Sequence, residues 1–138
     1  MKFEVLLSKL RKLNFPPDQF AVMSSGVLAV RGLREAKDLD LIVTQKLWKR
    51  LSAKYPVRKH AWGYFISLGR HIEVLGGRLD NQKKDLNESE RQIKKADIID
   101  EVRYVKLREV LTFKKRLGRK KDIRDIKLIV DYLRMKGT

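Results

Sequence analysis

Near the N-terminus, apolar residues recur at the spacing of one helix face: Phe3, Leu6, Leu7, Leu10 and Leu13. The segment Asn14-Phe15-Pro16-Pro17 then breaks the pattern and predicts the end of a first helix. The run FAVMSS reads as a short buried strand, and Gly26 to Val30 as a brief helix closing near Gly32. In DLDLIV strict alternation puts Leu39, Leu41 and Val43 on one strand face, and Asp38, Asp40 and Ile42 on the other. Thr44 is placed to cap a following helix whose inner stripe is Leu47, Trp48 and Leu51. After Pro56, VRKHAWGYFISL and HIEVLGG read as two strands of a hairpin joined at Gly69-Arg70.

From Arg78 to Asp97 the chain is polar with few apolar anchors, which predicts a loop carrying at most one short helix around Ser89 to Lys95. DIIDEVRYV supplies a last small strand or strand pair. The helix KLREVLTFKKRLG follows, ending at Gly118, and a final helix runs from about Lys121 to Met135 with Ile123, Ile126, Val130 and Leu133 on its buried side. Strands in the middle and helices at both ends predict an α+β fold, with a small mixed sheet flanked by helices. Neither an internal repeat nor a linker interrupts it, so 1–138 reads as a single domain, its core at about 20–76 and its C-terminal helices at about 106–135.

Composition narrows the chemistry. The chain has no cysteine and two histidines, which excludes disulfides and thiolate metal sites and fits a reducing compartment. Its N-terminus mixes charge with apolar residues, unlike a signal peptide, and no stretch approaches a membrane span, so the expectation is a cytoplasmic protein without a membrane partner. The formal charge of +16, from 33 Lys+Arg against 17 Asp+Glu, attracts polyanions such as RNA, DNA and nucleoside triphosphates.

Against that charge the aspartates of DLDLIV stand out. Asp38 and Asp40 share a strand face and converge closely enough to hold a hard cation such as Mg²⁺ or Mn²⁺. His71 and Glu73 share a face of HIEVL, and if that strand pairs beside DLDLIV a third carboxylate joins the pair. Upstream, Ser24-Ser25-Gly26 follows a strand and opens a helix, where small residues admit a ligand to the backbone and amides face a phosphate.

A small turn with a helix, then an Asp-x-Asp strand, then an acidic residue on a later strand is an order that resembles the nucleotidyltransferase superfamily. That fold is shared by DNA polymerase beta-like enzymes and by small nucleotidyltransferases of toxin–antitoxin systems, including the AbiEii-like group. There a Gly-Gly or Gly-Ser turn precedes the acidic pair by about a dozen residues; the matching positions here are Ser25-Gly26, Asp38 with Asp40, and Glu73. RGLREAKDLDLIV resembles the run before the acidic pair in AbiEii-like proteins, with Arg34 at the place of their arginine, and LTFKKRLGRKKDIRDI resembles a later segment that carries over Lys114, Arg119, Lys121, Asp122 and Asp125. The resemblance covers roughly Phe20 to Leu133 and departs at Ser25, where Gly is usual, and at Glu73, where Asp is more frequent.

The resemblance implies Mg²⁺-dependent transfer of a nucleoside monophosphate from a triphosphate such as ATP to an acceptor hydroxyl on RNA, tRNA or a protein. Asp38, Asp40 and Glu73 would be the metal and catalytic residues, and Ser24, Ser25, Gly26, Arg34, Lys114 and Arg119 the nucleotide-binding ones. Lys114 lies at the edge of its helix's apolar stripe while Lys115 and Arg116 turn outward, so Lys114 and Arg119 are expected to face the carboxylates across a cleft, with Asp122 and Asp125 holding a neighbouring arginine. A different reading keeps the scaffold without turnover, as a module that binds RNA or a partner protein such as a cognate toxin. For it the candidate nucleic-acid contacts are Arg58, Lys59 and Trp62, with Lys120 and Lys121.

Overall fold

The computed structural model describes residues 2–137. Its elements run α1 (Phe3–Lys12), β1 (Phe20–Met23), α2 (Ser25–Ala29), β2 (Leu39–Val43), α3 (Gln45–Ser52), β3 (Arg58–Lys59), β4 (Tyr64–Ser67) and β5 (Ile72–Leu75). They continue with α4 (Gln82–Lys95), β6 (Asp97–Ile99), β7 (Val102–Tyr104), α5 (Leu107–Leu117), a 3₁₀ turn at Lys120–Asp122 and α6 (Ile123–Met135). The architecture is α+β, and the strands form one mixed seven-stranded sheet in the order β3-β4-β5-β2-β1-β7-β6. Among the described residues no helix is long and apolar enough to cross a membrane.

The centre of the sheet follows from the alternation in β2. Leu39, Leu41 and Val43 are fully buried on one face, together with Val22 and Val74 from the flanking strands, and this shared face forms the middle of the core. β2 runs antiparallel to β1 and parallel to β5. Helix α2 packs on the same face through Gly26, where a Cβ would come within 2.4 Å of a Val22 methyl and 3.2 Å of Leu39. Gly26 is therefore required by packing, independently of any ligand.

Local signals place several boundaries. The Thr44 hydroxyl accepts a hydrogen bond from the Leu47 amide at 3.2 Å and caps α3, and Gly118 takes the left-handed conformation that closes α5. The β4–β5 hairpin turns at Gly69, at φ +90°.

Three expectations need correction. The run from Val57 to Leu68 is not one strand, because a turn at His60–Gly63 splits it into β3 and β4. There the His60 amide donates to the Gly63 carbonyl at 2.8 Å, and Gly63 is pressed against Gly77, whose carbonyl oxygen lies 2.4 Å from where a Cβ would stand. The supposed loop after Arg78 is the 14-residue helix α4. Two anchors, Leu86 and Ile93, hold one face of it, and polar ties supply the rest: Glu90 accepts from the Gln45 amide, while Arg91 and Gln92 reach Glu109 of α5. Such contacts join segments far apart in sequence, so local periodicity carries no trace of them. Finally, the buried line of α6 begins with Asp122 and Asp125 and continues to Ile129, whereas Ile123 is 65% exposed. An apolar stripe was the wrong template for a helix whose inner face carries charge.

The turn into α2 is strained. Ser24 sits at φ 61°, ψ −130°, a region that suits glycine, and its side chain makes no capping hydrogen bond. The residue whose backbone calls for glycine is thus Ser24, and not Ser25, which is the first residue of the helix. Ser24→Gly is expected to raise stability by about 1 kcal/mol, the strain relieved less the entropy glycine adds to the unfolded chain. Urea denaturation measures it, and unchanged or lower stability would mean that the Ser24 side chain makes up for its backbone.

Candidate functional site

Strand register assembles the carboxylates. Asp40 of β2 lies directly opposite Glu73 of β5 on one side and Met23 of β1 on the other, and Glu73 is in turn opposite Ser67 of β4. Residues opposite one another across a sheet project to the same face, so Met23, Asp40, Glu73 and Ser67 form one row. Asp38 precedes β2 and shares Asp40's face by alternation. Elsewhere on this face Ala21, Met23, Ile42 and Phe65 are buried, and the carboxylates occupy the end where β2 begins.

The three differ in their surroundings. Asp38 is exposed and its Oδ1 lies 3.1 Å from His71 Nδ1. Glu73 lies 3.4 Å from His60 Nε2 through Oε1. Asp40 is partly buried, and no hydrogen bond or ion pair with a described residue engages its carboxylate. Its pKa is raised from 3.8 to about 6, chiefly by burial and then by the repulsion of Glu73 and Asp38, against the opposing positive charges of Lys114 and His60. Histidines thus hold the outer two carboxylates while the inner one stands uncompensated.

A second cluster lies where α5, the 3₁₀ turn and α6 meet the loop after α2. Lys114 is 4% exposed, and its ammonium lies 3.3 Å from Asp122 Oδ1 and 3.0 Å from Asp125 Oδ2. Arg34 donates to both oxygens of Asp125 at 2.9 and 2.8 Å, and Arg119 to both of Asp122 at 2.7 and 3.1 Å. Burial alone would raise the Asp122 pKa, yet the hydrogen bonds and charges of Arg119 and Lys114 outweigh it and hold it below the usual carboxylate value. Three cations share two carboxylates, which leaves the cluster one positive charge in excess.

The sequence-derived candidates therefore fall into groups. Asp38, Asp40 and Glu73 come together on adjoining strands. Ser24, Ser25 and Gly26 leave β1 just beyond the level of Asp40. Arg34, Lys114 and Arg119 are joined through Asp122 and Asp125, and Lys114 acts electrostatically on Asp40. Lys115 and Arg116 are exposed, as are Lys120 and Lys121 on the 3₁₀ turn. Arg58, Lys59 and Trp62 gather on the β3–β4 hairpin. Sequence reasoning missed His60 as a partner of Glu73, because only the hairpin turn brings it over the sheet, and no spacing signal marks that contact.

A cation fits the donor set in part. Carboxylate oxygens suit a hard divalent ion, and Asp40 has negative charge that no protein group neutralises. As folded, however, no group of three His, Asp or Glu among the described residues is arranged to hold a metal. His71 and His60 engage oxygens of Asp38 and Glu73 that such an ion would use. Two surface depressions lie elsewhere, one beside Arg11, Asn14 and Asp100 and one beside Gln19, Lys46 and Arg50, and neither includes these carboxylates.

The raised pKa of Asp40 gives a signed expectation. Because the folded protein binds this proton more tightly than the unfolded chain does, stability is highest below pH 4 as far as Asp40 is concerned, and falls as pH rises through about 6. The full cost is up to about 3 kcal/mol, at roughly 1.4 kcal/mol per pKa unit. Asp40→Asn removes it, so the variant's advantage over the parent should grow by up to about 2 kcal/mol between pH 4.5 and 7.5, the rest having been lost below pH 4.5, measured by urea denaturation without divalent ions; a constant difference would mean that Asp40 titrates normally. No family model matches the chain, and neither does any curated protein or solved structure.

Proposed function

We propose that the protein is a Mg²⁺- or Mn²⁺-dependent nucleotidyltransferase that moves a nucleoside monophosphate from a nucleoside triphosphate to an acceptor hydroxyl. The observation that carries this reading is Asp40, a partly buried carboxylate without a protein counter-ion, set by register beside Glu73 and on the face of Asp38. Uncompensated charge at that depth is costly unless a ligand uses it. Asp38 and Asp40 would hold the divalent ion, with Glu73 beside them. When bound, the ion supplies neutralisation of the triphosphate and of the leaving pyrophosphate.

The chain's own groups would do the rest. The Ser24 hydroxyl and the amides of Ser25 and Gly26, at the end of β1, contact the phosphates. Lys114, with the excess positive charge of its cluster, and Arg119 lie on the cationic side and offset phosphate charge. The acceptor oxygen attacks the α-phosphorus, the bond from that phosphorus to the bridging oxygen breaks, and pyrophosphate leaves with that oxygen. The acceptor's proton passes to the Glu73 carboxylate, which His60 orients at 3.4 Å.

Asp40→Ala should lower transfer from a labelled triphosphate by about a thousand-fold or more in the presence of Mg²⁺, since the ion that stabilises the leaving group loses its inner ligand. A rate unchanged by that substitution would sink the mechanism. Lys114→Ala, which takes the excess positive charge out of the buried cluster, should weaken triphosphate binding by about 1–3 kcal/mol and Lys115→Ala by much less. Calorimetry at physiological salt separates them, and equal losses would assign binding to a diffuse basic surface instead.

A further inference from the structure

The β3–β4 hairpin carries a column of rings beside the carboxylates. Phe65, buried in β4, stacks on the His60 imidazole with centroids 3.7 Å apart and planes 4° from parallel. His60 in turn stacks on Trp62 at 5.3 Å and 27°. The column ends in solvent, as Trp62 is 47% exposed. It is firmly mounted, since the hairpin closes through the His60–Gly63 backbone bond and packs against Gly77 without room for a side chain at Gly63. Mounting matters because a ring already held in place loses little entropy when a second ring lies on it.

One cation shares the face of this column. Arg58 is opposite Phe65 and so projects to the face that carries the rings, while Lys59 projects to the other face, 5.9 Å from the Tyr64 ring. Both are exposed, and neither forms an ion pair with a carboxylate among the described residues. A single exposed ring with an unpaired cation on its own face differs from the broad apolar patch that a protein partner needs. It combines the two elements by which single-stranded nucleic acid is held, stacking on bases and attraction to the backbone.

Sheet order says which substrate would reach it. From β1 outward the strands carry the Ser24–Gly26 turn, then Asp38 and Asp40, then Glu73, which His60 meets from β3's end; Phe65 lies on the same face at the level of Leu75, under His60, and Trp62 stacks beyond. Trp62 thus lies on the far side of Glu73 from the turn assigned to the triphosphate. We infer that the Phe65–His60–Trp62 column, with Arg58 on the same face, is a stacking platform for an unpaired nucleobase, and that the acceptor is a single-stranded polynucleotide presented to Glu73 from this side. The assignment as acceptor rests on the nucleotidyltransferase reading; the platform itself does not.

The test uses the full chain and fluorescently labelled ten-nucleotide oligo(A), as RNA and as DNA, in EDTA, with affinity read by anisotropy. Quenching of tryptophan emission by unlabelled oligonucleotide reports stacking, since Trp62 is exposed while the other tryptophan, Trp48, is buried. Trp62→Ala should weaken binding about ten-fold or more and abolish the quenching, and Trp62→Phe should recover part of the affinity. A preference for RNA or for DNA names the acceptor's sugar, and either supports the platform. Wild-type affinity in Trp62→Ala, or equally tight binding of a blunt duplex of the same length, would overturn it. Trp62-dependent stacking with no transfer to any oligonucleotide by the wild-type protein, although it transfers to another acceptor, would overturn the acceptor assignment. Trp62-dependent binding in a protein that transfers nothing at all would instead remove the nucleotidyltransferase reading and leave the platform standing.

Discussion

Strand β2 is held from both sides, antiparallel to β1 and parallel to β5, and its register with them is the constraint on which the rest of the molecule depends. A shift of one residue would turn Leu39, Leu41 and Val43 out of the core and send Asp38 and Asp40 into it. Burying three large aliphatic side chains contributes several kcal/mol, at about 1.5–3 kcal/mol each. Ionised aspartates in their place would cost more than that. The hydrophobic side of the strand thereby fixes the position of the polar side. Asp40 stands opposite Glu73 because Leu41 and Val74 must meet on the other face.

Fold information was readable where it is local. The alternation in β2, the Thr44 cap and the Gly118 stop each depend on residues within a few positions of one another, and each appears in the structure. Helix α4 shows the limit. Two buried residues are too few to announce a helix, and its partners Gln45 and Glu109 lie on other elements. The inner face of α6 misleads for a related reason: a rule that seeks apolar residues inside selects Ile123 and passes over Asp122 and Asp125, whose burial depends on Lys114, Arg119 and Arg34 arriving from elsewhere. Of the candidate site, the carboxylate row could be anticipated from alternation once β2 and β5 were paired. The histidine on Glu73 could not, since the pairing of His60 with Glu73 depends on the turn that splits β3 from β4.

The buried charge cluster ties together parts of the chain that strand pairing leaves apart. Through Asp125, α6 is joined to Arg34 in the loop before β2, and through Asp122 and Asp125 it is joined to Lys114 of α5. Ion pairs at this depth are a doubtful source of net stability, because desolvation takes back much of the Coulomb gain. What they do supply is position. A cation with two fixed carboxylate partners has few places to go, and here the place lies within electrostatic reach of Asp40.

That arrangement explains how negative and positive groups can stand near each other without closing the site. A buried lysine free to move would pair with the nearest unpartnered carboxylate, and Asp40 is unpartnered. Asp122 and Asp125 occupy the Lys114 ammonium first, at 3.3 and 3.0 Å, while Arg34 and Arg119 brace those two aspartates from the other side. Lys114 therefore lowers the Asp40 pKa through space but does not neutralise it, and burial together with Glu73 and Asp38 still pushes the value up to about 6. Two regions of opposite sign are thus kept apart by the protein's own ion pairs. A ligand that carried both phosphate negative charge and a divalent cation would satisfy both at once, whereas a simple anion or a simple cation would satisfy only one.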